Sequence, residues 1–145
     1  MLKIGHIALS VSNLDSSIDF YKKAFGFICT HRYPDESAGL EICLLKKDEV
    51  TLELFGFKDF KPLPEYHSNL DSDLVTLGVK HFCLGVADIE ETYNRLRKSD
   101  IEFITDIRIF ENGSRYFFIK DLDGILVEVM ETQDGGRTDE KSKEI

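Results

Sequence analysis

Hydrophobic and polar positions along the chain fall into two short cycles of the same order. Residues 4–11, IGHIALSV, read as a strand. Ser12 or Asn13 then offers a helix N-cap, Leu14, Ile18, Tyr21 and Phe25 follow at helical spacing, and Gly26 supplies a C-cap. Segments 27–33, 39–46 and 50–57 read as three further strands, with turns at 34–39 and near 47–49. The cycle then returns. Residues 79–86 predict a strand, and Asp88 caps a helix, with Glu91 three residues later. Ile89, Tyr93 and Leu96 form that helix's apolar stripe, and segments 102–110, 114–120 and 125–131 predict three strands. Asn112-Gly113 and Asp123-Gly124 mark hairpin turns. Between the cycles, residues 58–78 carry Pro62, Pro64 and the polar run SNLDSD, and read as a linker. The expected architecture is α+β: two tandem βαβββ modules, residues 2–57 and 79–131, in a single domain over 2–131. The polar tail 132–145, TQDGGRTDEKSKEI, is expected to be mobile.

The cycles superimpose under a shift of 75 residues. GHIALSVSNLDSSIDFY lies over KHFCLGVADIEETYNRL, and TLELFG over LVEVME, with Phe20 against Arg95 as one clear mismatch. His6 falls on His81 and Glu53 on Glu128, so that each His precedes its Glu by 47 positions. All four are expected in mid-strand among apolar neighbours, where an unpaired carboxylate is costly. Together they make two imidazoles and two carboxylates. Such a set suits a borderline divalent ion such as Ni, Co, Zn, Mn or Fe, with open positions for chemistry.

Composition narrows the classes. A net charge of −9 over 145 residues argues against nucleic-acid binding and, more mildly, against anionic membranes. The 42% hydrophobic content with eleven Phe is enough for a packed core, and no run of about 18 apolar residues predicts a membrane helix. We expect a soluble, cytoplasmic protein with a small-molecule substrate. Cys29, Cys43 and Cys83 lack the spacing of a disulfide framework or a thiolate zinc site and read as reduced core thiols. Cys83, two positions after His81, could also line a pocket. Phe55, Phe57, Phe117 and Met130 are candidates for an apolar pocket. Arg115, Lys120 and Arg32 are candidate anion contacts, of which Arg115 is taken as a substrate residue. His31 and His67 have no repeat partners and read as non-ligands.

The quartet, GHIALSVSNLDSSIDFYKKAFGF and RYFFIKDLDGILVEVME together resemble the vicinal oxygen chelate superfamily, in its glyoxalase I-like branch, over residues 2–131. Leu122 stands where that family often has Pro. The resemblance implies paired βαβββ modules curling around a cleft, a homodimer, and His6, Glu53, His81 and Glu128 as metal ligands. It further implies an enediolate-type proton transfer on a thiol hemithioacetal of an α-oxo-aldehyde or a similar enolisable substrate. Glu128 would be the base, and Glu53 could act from the other side. Glutathione-using members carry Arg where this chain has Ser10 and Asn where it has Phe57, which puts glutathione in doubt. The alternatives are an extradiol-type dioxygenase, for which Glu53 would be a surplus ligand, and a CoA-ester epimerase, whose family usually has Gln at that position. A drug-sequestering binding protein would generally lack the quartet. Linker 58–78 could form a lid.

Overall fold

A computed structural model describes residues 2–132; the expectation for the tail from residue 133 onward lies outside them. The first module runs β1 (Ile7–Val11), α1 (Leu14–Phe25), β2 (Ile28–Asp35), β3 (Leu40–Lys47) and β4 (Val50–Phe57). The second runs β5 (Phe82–Val86), α3 (Ile89–Leu96), β6 (Arg108–Ile109), β7 (Arg115–Lys120) and β8 (Leu126–Glu131). Each module is a four-stranded mixed sheet, ordered β1-β4-β3-β2 and β5-β8-β7-β6, in which the first strand pairs parallel with the last.

Local chemistry sets the helix ends. Asn13 Oδ1 accepts from the Ser16 N–H at 2.9 Å, and Asp88 Oδ1 accepts from the Glu91 N–H at 2.8 Å, each satisfying an orphan donor of the first turn. Gly26 closes α1 at φ 76°, a left-handed conformation that side chains with a Cβ resist. The face α1 buries is Leu14, Ser17, Phe20, Tyr21 and Ala24, one position round from the stripe the spacing predicted. Ile18 and Phe25 remain partly buried at its margin.

Alternation decides the sheet faces. In β4, Leu52 and Leu54 are fully buried, while Thr51, Glu53 and Phe55 are half-buried on the opposite face. In β8, Val127 and Val129 point into the core, paired with Ile119 and Phe117 of β7. Each such aliphatic side chain contributes about 1.5–3 kcal/mol relative to an exposed one. The two modules share one continuous core. Polar contacts also join them: Arg95 donates to the Ala24 carbonyl at 2.9 Å, and the Ser12 N–H donates to Asp123 at 3.1 Å.

Tyr21 ties the modules from within. Its hydroxyl donates to Asp121 Oδ2 at 2.8 Å, both groups being buried. Burial pushes the Asp121 carboxyl above the usual carboxylate range, partly offset by the Tyr21 hydroxyl and the N–H groups of Ile125 and Asp123. Burial, then the Asp121 charge, pushes the Tyr21 phenol above its ordinary value of 10.0. A raised phenol pKa means that the folded state holds this proton more tightly than the unfolded chain. Its contribution is therefore complete below pH about 10 and is lost as pH climbs through the folded value. Tyr21→Phe should cost about 1–3 kcal/mol at neutral pH, because Asp121 loses its buried donor. It should also flatten the alkaline fall in stability above pH about 10. Urea unfolding across pH checks both, and an unchanged alkaline limb would exclude Tyr21 as its source.

Three expectations are corrected. The first strand of each module begins later than its apolar pattern, so His6 and His81 stand just before β1 and β5 rather than in mid-strand. Segment 102–110 is a strand only at Arg108–Ile109, with an isolated bridge between Phe103 and Ile119. There the buried Thr105 hydroxyl accepts from the Phe118 N–H at 3.0 Å, so a side chain takes the place of a ladder carbonyl. The linker is not featureless. It holds a 3-10 turn at Glu65–Ser68 and α2 (Leu70–Leu74), which Asn69 caps through the N–H groups of Asp71 and Ser72. The buried Asp73 anchors it, with Oδ1 2.8 Å from His67 Nδ1 and 3.1 Å from Lys80 Nζ.

Candidate functional site

The ladder register reproduces the sequence repeat. Ala8 lies opposite Glu53, and Cys83 lies opposite Glu128. Two residues before Ala8 and Cys83, on the same side of the chain by the two-residue period, stand His6 and His81. Each imidazole therefore meets the carboxylate of the neighbouring strand. His6 Nε2 lies 3.2 Å from Glu53 Oε2, and His81 Nε2 lies 3.1 Å from Glu128 Oε2. The two modules bring the same atoms together at nearly the same distance.

The pairs differ in shelter. Glu128 is only 7% exposed, whereas Glu53 is half-buried and His6 is open to solvent. Phe118 lies opposite Glu128 in the ladder, and its ring meets the His81 ring edge-to-face at 4.9 Å. Cys83 borders the same carboxylate. Crowding around its sulfur, then the charge and hydrogen bonding of Glu128, pushes the thiol up to about 12. Cys83 thus stands beside Glu128 as a neutral S–H group rather than as a thiolate.

A cavity of about 120 Å³ is lined by Ile4, His6, Val50 and Thr51 from the first module and by Cys83 from the second. His6 of the first pair thus shares this crevice with Cys83, the ladder neighbour of Glu128. Among the described residues, no three His, Cys, Asp or Glu side chains are gathered closely enough to form a metal site, so each pair is formed but the four are not drawn into one cluster.

The remaining candidates are dispersed. Phe117, expected at the pocket, has no exposed surface and is packed between Tyr93 and Phe103, with ring centroids at 5.2 and 5.6 Å. Alternation turns it to the core and turns its neighbour Phe118 to the site. Sequence reasoning missed Phe118: counting outward from a two-residue turn at Asp123-Gly124 would place Ile119 opposite Glu128, whereas the observed register pairs Lys120 with Leu126 and so Phe118 with Glu128. Arg115 is held by Glu131 at 2.7 Å and by Glu90 at 2.9 Å. Phe57 lines a separate groove of about 570 Å³ with Arg32 and Asp35, and Met130 lines a depression beside Phe110 and Asn112. Phe55 is half-buried on the Glu53 face, opposite Ile42. Lys120 pairs with Glu102 at 2.8 Å, and Arg32 with Glu41 and Asp15.

Comparison with known proteins points the same way. A family model described as Glyoxalase/Bleomycin resistance protein/Dioxygenase superfamily matches residues 3–129. The mitochondrial methylmalonyl-CoA epimerase of Dictyostelium discoideum is 27% identical over 133 residues, covering 89% of this chain and 78% of that protein. Among solved structures, a glyoxalase family protein from Enterococcus faecalis superimposes with a TM-score of 0.76 at 27% identity, covering 89% of this chain and 97% of that one. The trypanothione-dependent glyoxalase I of Leishmania major shares the fold, with a TM-score of 0.70 at 21% identity over 90% of this chain and 87% of that one.

Proposed function

We propose a proton-transfer function from one premise: this chain belongs to the Glyoxalase/Bleomycin resistance protein/Dioxygenase superfamily. The reading is a metal-dependent, glyoxalase I-like lyase or isomerase. Its substrate would be a thiol hemithioacetal of an α-oxo-aldehyde, or a similar molecule with an acidic C–H beside a carbonyl. The observation that carries it is the repeated His–Glu pair, made in both modules from the same atoms and the same register.

The pairs fit a metal by their spacing. Two donors each about 2.1 Å from one ion and at right angles to it stand about 3.0 Å apart. The His–Glu separations of 3.2 and 3.1 Å match that spacing. His6, Glu53, His81 and Glu128 would hold the ion, each His–Glu pair supplying one nitrogen and one carboxylate. When bound, the ion supplies Lewis-acid polarisation of the substrate oxygens.

The proton transfer falls to the carboxylates. Glu128 takes a proton from one substrate carbon and returns it to the next. Its burial beside Phe118 keeps water from competing for that proton. Glu53, on the other pair, faces the substrate from the opposite module. A homodimer is expected, since Leu74, Val75, Leu77 and Val79 expose a run of apolar surface just before β5.

A second reading is acyl-CoA epimerisation, favoured by the resemblance to methylmalonyl-CoA epimerase over 89% of the chain. The same carboxylates would then remove a proton and replace it on the other face of one carbon. Purified protein loaded separately with Ni, Co, Zn, Mn or Fe should retain about one ion per chain and elute at twice the chain mass. Assays with methylglyoxal hemithioacetals of several thiols, and with a branched acyl-CoA thioester, then separate the two readings. Turnover of a hemithioacetal supports the first, and turnover of the thioester alone supports the second. Failure to retain any ion would sink both and leave a binding role for the crevice.

A further inference from the structure

Cys29 and Cys43 lie away from both His–Glu pairs, on adjacent strands β2 and β3. Their sulfurs are 2.9 Å apart, inside ordinary contact for two unbonded thiols. Cys29 is exposed on the edge strand, and Cys43 is fully buried in the core. The approach is unusual for its register. Cys29 pairs with Leu45, so Cys43 is its diagonal neighbour on the same face. In a regular ladder such neighbours stand about 7–8 Å apart, too far for most disulfides. Here the ladder slips between Cys29 and His31, and a bulge of this kind bends and twists the strand that carries it. At this bulge the two thiols meet.

We propose that Cys29 and Cys43 form a peroxide-responsive dithiol, closing reversibly to a disulfide that fastens the edge strand β2 to β3. The exposed Cys29 sulfur attacks one oxygen of a hydroperoxide. The O–O bond breaks, Cys29 becomes a sulfenic acid, and the other oxygen leaves as water or alcohol. The Cys43 sulfur then attacks the Cys29 sulfur. The S–O bond breaks, and the Cys43 proton leaves with the departing hydroxyl as water. Two thiols lose two electrons in all, and one peroxide gains them.

The division of roles follows from environment. Burial, then the neighbouring Cys29, pushes the Cys43 thiol up to about 12, so it keeps its proton and is shielded from peroxide. Its access is to Cys29 alone. Cys83, the third thiol, stands opposite Glu128 rather than beside a cysteine, so it has no partner thiol to close on. Leu44, between Cys43 and Leu45, lies opposite Glu53. The bond would therefore stiffen the strand backing one carboxylate of the site.

The test treats the folded full-length chain with hydrogen peroxide and maps thiols by mass spectrometry before and after dithiothreitol. Expected is a peptide cross-link between Cys29 and Cys43, a loss of about 2 Da restored on reduction, with Cys83 still alkylatable. Cys29→Ser should abolish the link and leave Cys43 unmodified. Cys83→Ser should leave the link in place. The proposal is overturned if Cys29 proceeds to sulfinic acid with Cys43 still free. A link that involves Cys83 instead, or one that appears only after the chain is unfolded, overturns it equally.

Discussion

Glu128→Gln is expected to lower turnover of the metal-loaded protein about 100- to 10,000-fold, the usual range for loss of a positioned general base. Gln keeps the shape of Glu and can still meet His81, so the substitution removes the proton acceptor without opening a void. The site around it argues for a large effect. Glu128 is buried among Leu126, Phe118 and Cys83, and the other carboxylate of its strand, Glu131, is held by Arg115. Steady-state kinetics with matched metal content, alongside thermal unfolding, make the measurement. Turnover within about threefold of the parent would remove Glu128 from the proton path. Glu53→Gln, made in parallel, should also reduce turnover sharply. If only Glu53→Gln is inactive, the base lies on the first module.

The second large effect is on stability. Phe117→Ala is expected to cost about 3–5 kcal/mol. The ring is fully buried, stacks on Phe103, meets Tyr93 edge-on, and backs Val129 of β8. Removing it leaves a void that these rigid rings cannot close. For a chain of this length, the melting temperature should fall by on the order of 10 °C or more. Metal content of the protein that remains folded should not change, because Phe117 faces away from His81 and Glu128. Phe118→Ala should behave in the opposite sense, with a smaller loss of stability and a disturbed His81 pair. A drop of less than about 1 kcal/mol for Phe117→Ala would mean that the core repacks around the missing ring.

These two neighbours mark where sequence reading stops. The apolar run at 116–119 shows a strand but does not say which face is which, because all four side chains are apolar. Only the packing of α3 against the sheet chooses the face that holds Phe117. The same holds for Cys29 and Cys43, fourteen residues apart and joined by a bulge that no local pattern announces. The linker shows the converse. Its polar run SNLDSD read as irregular, yet Asn69 caps a short helix there, and a buried Asp73 held by His67 and Lys80 keeps it folded against the protein.

What the chain determined locally is considerable. Caps at Asn13 and Asp88, left-handed Gly26, and turns at Asn112-Gly113 and Asp123-Gly124 are set by a few neighbouring residues, and so were legible without coordinates. The repeat itself named His6, Glu53, His81 and Glu128 as two matched pairs, and it also implied the matching folds of the modules. The tertiary structure alone decided that the first and last strands of each module pair in parallel, which brings each His within 3.2 Å of a Glu 47 residues away. It also decided how sheltered each pair is and which aromatic ring stands over it. Turns and caps depend on backbone preferences within a few residues. Pair contacts and burial depend on strand register and on helices packed across the core, which no short stretch of sequence encodes.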